Sequence, residues 1–224
     1  MDDIKEEKIM GLDEVEQQNT IIDDIDAENV NLIFLAIDCS GSMYNYTDDM
    51  KKSLNDFKDS LINSKEKDEI LVSRVNFNDK IDVKGYKKID DFDVQYDAND
   101  QTRLYDVIIE GKEKLTEYMN YLKNEGMRTK AVFAIFTDGE DVCSRNNLSD
   151  AKQAINELNQ KEITTAMISF GSESKNIGKS LNIKNILSVG SSSSELRKAF
   201  NCLSKSVIES SKSVVPDDDD FFNM

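Results

Sequence analysis

The sequence has no histidine among its 224 residues, and that absence removes more chemistry than any other. Ser–His and Cys–His nucleophilic pairs, histidine acid–base catalysis and His-bearing metal sites all need a residue this chain does not contain. Cysteine is scarce. Cys39, Cys143 and Cys202 are an odd number with no C-x-x-C pair, which argues against a zinc site and for a reducing compartment. No apolar run approaches the ~20 residues that a membrane span requires. The first ten residues, MDDIKEEKIM, are acidic where a secretion signal is basic and then apolar, so a cytoplasmic protein with no membrane partner is expected. A basic cluster interleaved with aromatics is also missing. With a net charge of −16, nucleic acid is not an expected partner.

The acidity that is present sits at the ends. Residues 1–28 hold eleven acids and two lysines, and Asp217 to Asp220 add four more negative charges. The stretch between is close to neutral. The expected organisation is an acidic leader over 1–28, one domain over 29–213 and an acidic tail over 214–224. An apolar fraction of 38% with 32% charged residues suits one soluble globular domain of this length. The leader reads as solvated and lacking fixed structure, and the tail as solubilising.

The stretch that organises the domain is NLIFLAIDCSGSM, Asn31 to Met43. Seven mostly apolar residues form a buried strand that ends on Asp38. Ser40 and Ser42 follow at alternate positions, with Gly41 allowing a tight turn. One carboxylate and two hydroxyls spaced this way suit a hard divalent cation. Ala131 to Thr137 (AVFAIFT) is a second apolar strand, and it ends on Asp138. Between them, Asp100-Gln101-Thr102-Arg103-Leu104 leads into an amphipathic helix that Thr102 could cap.

Periodicity fills in the rest. Helices are expected over 46–63, from 102 onward, over 149–160, near 175–181 and over 193–211. Strands are expected at Glu69–Phe77, at Lys80–Val83 after an Asn78-Asp79 turn, at Ile163–Phe170 and, as an edge, at Ile186–Val189. Residues 84–101 read as a polar loop. Alternating strands and helices imply an α/β fold, a doubly wound and mainly parallel sheet with helices on both faces. Such sheets bind ligands beyond the carboxyl ends of their strands, where Asp38 and Asp138 both fall.

The pattern D-x-S-G-S-M after a buried strand, the Thr102 loop and the strand-end Asp138 together resemble the metal-ion-dependent adhesion site of von Willebrand factor A domains. The resemblance covers roughly residues 30–212. It implies a Rossmann-like fold and a metal held by Asp38, Ser40, Ser42, Thr102 and Asp138. Mg²⁺ is the expected ion, with Mn²⁺ or Ca²⁺ as alternatives, and an open position takes an Asp or Glu from a protein partner. The chain departs from the family at the threonine loop, where Asn99-Asp100-Gln101 stands in place of the usual glycines. Leu196 to Ser213 resembles the last helix of cytosolic bacterial members of this family associated with tellurium-resistance and other stress operons. Two alternatives stand beside this reading: a metal-dependent phosphohydrolase using the same acidic strand ends, and a stress-response scaffold that recruits partners through its acidic termini. Ser40 occupies the place of the second aspartate in the D-x-D motif of aspartyl phosphotransferases, which counts against that class. Glu140 and Asp141 read as solvated neighbours, and Cys39 and Cys143 as a buried filler and a loop thiol.

Overall fold

In the computed structural model, residues 28–64, 69–139, 141–171, 174–212 and 221–222 are described. Residues 1–27 of the acidic leader, and the acidic tail apart from Phe221 and Phe222, lie outside them.

Six strands form one sheet in the order β3-β2-β1-β4-β5-β6. They are β1 (Asn29–Asp38), β2 (Glu69–Phe77), β3 (Ile81–Lys88), β4 (Arg128–Thr137), β5 (Thr164–Phe170) and β6 (Asn185–Val189). All neighbours run parallel except β2 and β3, which form an antiparallel hairpin. The helices are α1 (Thr47–Ile62), α2 (Leu104–Asn124), α3 (Leu148–Gln160), α4 (Lys175–Ser180) and α5 (Ser193–Lys212). The expected doubly wound α/β architecture is therefore what the chain adopts.

The near-continuous apolar character of β1 follows from burial on both faces. Alternate residues divide between two cores. Leu32, Phe34 and Ala36 join the apolar residues of α2 and α3, while Ile33, Leu35 and Ile37 join those of α1 and α5. A strand exposed on one face needs polar residues at every second position, and between Leu32 and Ile37 β1 has none.

β3 is longer than its sequence suggests, running through Lys88 into a 3₁₀ turn at Ile89–Asp91. Residues 84–101 are therefore not a simple loop. β3 is an edge strand whose outward positions carry Asp82, Lys84 and Lys87, and these charges conceal the inward ones. The bulge opposite Ser73 to Val75 and the left-handed Gly85 break the alternation further. Beyond the 3₁₀ turn, Phe92 and Tyr96 are buried.

Gly111 shows how closely α2 approaches the sheet. Phe34 and Phe133 stack with centroids 4.8 Å apart, and a Cβ on Gly111 would overlap the Phe34 ring and lie 2.9 Å from Phe133 Cε2. A helical Gly→Ala change normally adds up to about 1 kcal/mol of stability. Here overpacking against two rings reverses the sign, and Gly111→Ala is expected to cost about 2 kcal/mol, read as a lowered urea midpoint at unchanged slope.

Candidate metal centre

β1 and β4 are neighbours at the centre of the sheet, and the chain leaves them in opposite directions. The connection after β1 goes to β2 and the one after β4 goes to β5, so a crevice opens between their carboxyl ends. Asp38 closes β1, and Asp138 immediately follows β4.

The Asp38 side chain is fully buried. Its Oδ1 accepts the Ser40 N–H at 2.9 Å, and its Oδ2 accepts the Thr137 hydroxyl at 2.6 Å. Burial raises its pKa from 3.8 to about 6, over the opposing pull of the Ser40 and Thr137 hydrogen bonds, and the charge of Asp138 adds to the rise. The two serines extend the set outward. Ser40 Oγ lies 3.1 Å from Ser42 Oγ, and Ser42 Oγ donates to Asp138 Oδ1 at 3.0 Å. Four of the five residues expected from sequence thus form one hydrogen-bonded series across the crevice.

Thr102 reaches the same place through its backbone. Its carbonyl accepts the N–H groups of Val142 and Cys143, both at 3.0 Å, which ties the threonine loop to the segment after Asp138. On the other side, Gly41 N donates to Asp100 O at 2.9 Å and Asn99 N to Cys39 O at 2.8 Å. The family's glycines are replaced at the key point by Asp100 itself, which adopts a left-handed φ of 62°. Aspartate is among the few residues that tolerate this region.

Thr102 does not cap α2. That helix begins at Leu104 after Arg103, which makes no side-chain cap bond. Its first free N–H groups are taken by another loop: Tyr105 N donates to Asp141 Oδ1 at 3.2 Å and Asp106 N to Ser144 Oγ at 3.1 Å. Asp141 is therefore a cap supplied from across the crevice and not a solvated neighbour, while Glu140 lies outside the described residues.

Four further residues support the centre, and sequence reasoning passed over all of them. Thr137 donates to Asp38, as above. Tyr96 donates its hydroxyl to the Asp38 carbonyl at 2.6 Å, bringing the 92–100 segment under the site. Arg74 anchors that segment through Nη1 to Asp93 O at 2.5 Å. Asp106 accepts from Arg103 Nε and Nη2, from the backbone N–H of Arg145 and Asn146, and from Asn146 Nδ2. None lies inside the D-x-S-G-S stretch, and only Thr137, as the last residue of an apolar strand before Asp138, carried a readable signal.

The donor set fits a hard cation. Asp38 and Asp138 offer carboxylate oxygens and Ser40 and Ser42 offer hydroxyls, an all-oxygen set, while Thr102 meets the site through its carbonyl. Cys39 points back, its thiol donating to Ile37 O at 3.5 Å, and burial pushes its pKa up to about 12, so it stays protonated. Among the described residues no group of three or more Asp, Glu, Cys or His side chains converges. No helix among them is long and apolar enough to cross a membrane.

No curated protein sequence matches the chain. Solved structures resemble it at low identity and so bear on the fold alone. The pilus adhesin SpaC from Lactobacillus rhamnosus GG aligns at 10% identity with a TM-score of 0.62, covering 82% of this chain and 30% of that one. A von Willebrand factor type A protein from Catenulispora acidiphila aligns at 17% identity and 0.59, covering 80% and 43%. Proximal thread matrix protein 1 from the mussel byssus, solved with a zinc-occupied MIDAS motif, aligns at 17% identity and 0.56, covering 80% and 46%. The chain thus spans less than half the length of these three. The family model for the von Willebrand factor type A domain matches residues 32–201, and by that match over most of its length the chain belongs to this family.

Proposed function

We propose that the strand-end centre binds a divalent cation, Mg²⁺ in the first instance, and through it the carboxylate of a protein partner. The observation that carries this reading is the hydrogen-bonded series from buried Asp38 through Ser40 and Ser42 to Asp138. It holds hard oxygens from two neighbouring strand ends at a solvent-facing crevice. Asp38, Ser40, Ser42, Thr102 and Asp138 would hold the ion, which supplies a Lewis-acidic position for an incoming carboxylate. Asp38 and Asp138 together supply two formal negative charges, which balance a divalent ion without exceeding its charge, and the neutral hydroxyls leave its coordination open to a further oxygen ligand. Ser40 stands where a D-x-D phosphotransferase has its second aspartate, and the reading is accordingly a binding module. Exposed apolar groups support a protein partner: Tyr44 follows Ser42 at 70% exposure and Val142 follows Asp138 at 64%, so the partner's acid is expected to have apolar neighbours. A cytoplasmic stress-response setting belongs to the same proposal and rests on the resemblance of the last helix.

Calorimetric titration of Mg²⁺, Mn²⁺, Ca²⁺ and Zn²⁺ into metal-stripped protein tests the centre. One-to-one binding is expected in the wild type and none in Asp38→Ala. An acidic peptide is expected to tighten the metal, and EDTA to release the peptide. Absence of any metal binding with the peptide present would end this reading.

A further inference from the structure

The sequence leaves one motif without a role in the metal centre: the Phe221-Phe222 pair after the tail aspartates. It lies beyond the family match, which ends at residue 201. Phe221 is only 3% exposed and belongs to the apolar cluster that includes Leu203 and Val207 of α5 and Ile168 of β5. Phe222 packs against that cluster, as do Leu187 and Val189 of the edge strand, and the two rings meet edge to face at 5.0 Å.

Polar groups fix the backbone as well. Asn185, the first residue of β6, is buried and donates Nδ2 to Thr165 O at 3.1 Å. With its amide so oriented, its Oδ1 accepts the Phe221 N–H at 3.2 Å. The Cys202 thiol donates to the Phe222 carbonyl at 3.9 Å, the length of a weak sulfur hydrogen bond. A ring socket, an oriented amide and a thiol donor together read one aromatic side chain and two backbone positions. A core residue requires only the first of these.

We propose that the apolar socket where Phe221 and Phe222 meet β5, β6 and α5 is a peptide-binding site for a pair of phenylalanines, and that the chain's own Phe221-Phe222 fills it in cis. The site is separate from the metal centre and does not depend on it. Tethering supplies the tail at an effective concentration on the order of millimolar, so an added peptide of the same sequence cannot compete in the wild type but can enter once the tail's own ring is gone.

The test uses the full chain carrying Phe221→Ala and a labelled peptide, PDDDDFFNM, of residues 216–224. Fluorescence anisotropy is expected to show saturable binding to the variant and none to the wild type. A peptide with its first phenylalanine replaced by alanine is expected not to bind. Equal behaviour of wild type and variant towards the native peptide overturns the proposal, whether both bind or neither does. Should the variant fail to fold, a site-specific protease site inserted after residue 213 replaces it. The severed tail is then expected to co-elute with the domain at high concentration and to leave on dilution. Its complete loss at every concentration, or its retention at every dilution, overturns the proposal. In the wild type, the Phe221 amide is expected to exchange with solvent far more slowly than in the free peptide, and exchange at the free-peptide rate overturns it too.

Discussion

Asp38→Asn is expected to abolish metal binding and, in the same protein, to raise metal-free stability at pH 7. The two effects share one cause. A carboxylate buried without a cation is held in its charged form against the cost of desolvation, and its pKa rises from 3.8 to about 6. Because the folded-state value lies above the unfolded one, the contribution of Asp38 to stability is fully present below pH 3.8 and is lost as pH rises through about 6. The loss at neutral pH is about 3 kcal/mol. Asparagine removes the charge and keeps an oxygen for the Ser40 N–H, while its NH₂ can donate to Thr137 Oγ, whose hydroxyl has Gly139 O within 3.3 Å. Urea unfolding of metal-stripped protein at pH 4 and pH 7 checks this. The wild type is expected to lose the Asp38 contribution between the two, and the asparagine variant is not. Equal pH responses in the two proteins would mean that the centre was not built at the expense of stability.

The largest loss is expected from Asp106→Ala. The Asp106 carboxylate, 6% exposed, pairs with Arg103 and accepts five hydrogen bonds in all. Desolvation alone would raise its pKa, but the Arg145 and Asn146 N–H groups, the Asn146 amide and Arg103 overcome that and hold it below the usual carboxylate range. Its stabilisation is therefore present above the ordinary value and is lost only as pH falls through the depressed one. This window lies below the one in which Asp38 acts, so the two groups separate in an acid titration. Alanine leaves several donors without an acceptor and a largely covered guanidinium unpaired, at a cost of about 3 kcal/mol. The same change frees the 144–146 segment from the start of α2, next to Thr102, so metal affinity is expected to fall by at least about tenfold. Asp106→Asn keeps one acceptor and is expected to lie between. An alanine variant with full metal affinity would separate the clamp from the site.

The parts of this molecule that were legible in sequence are those whose cause is local. β1 and β4 announce themselves because burial on both faces demands apolar residues at every position, and Asp38 and Asp138 stand out because each interrupts such a run. Ser40 and Ser42 follow from spacing alone. What stayed hidden depends on partners far along the chain. Asp141 reads as one more acid in a polar loop until α2 arrives to have its N–H groups capped. Asp106 is an ordinary helix-face acid until residues 145 and 146 fold over it. Tyr96 sits in a stretch whose aspartates suggest a solvent loop, and only its hydroxyl on the Asp38 carbonyl gives it a role. The second half of β3 was lost to its own outward charges. In the tail, the four aspartates suggest a solubilising segment, whereas Phe221 directly after them is buried against α5 and β5.

The position of the site between β1 and β4 also has a consequence for the order of events in folding. These strands pair directly, with Asn29 opposite Arg128 and Ile37 opposite Phe136, so their union closes a loop of about a hundred residues. Long-range parallel pairing of this kind forms slowly. During synthesis, Asp38 leaves the ribosome long before Asp138, and a nascent chain carries the D-x-S-G-S stretch without the strand that completes it. The proposed cation, if it is held by both aspartates, would therefore bind only after the centre of the sheet has closed, and its uptake would report a finished sheet and not a nascent one.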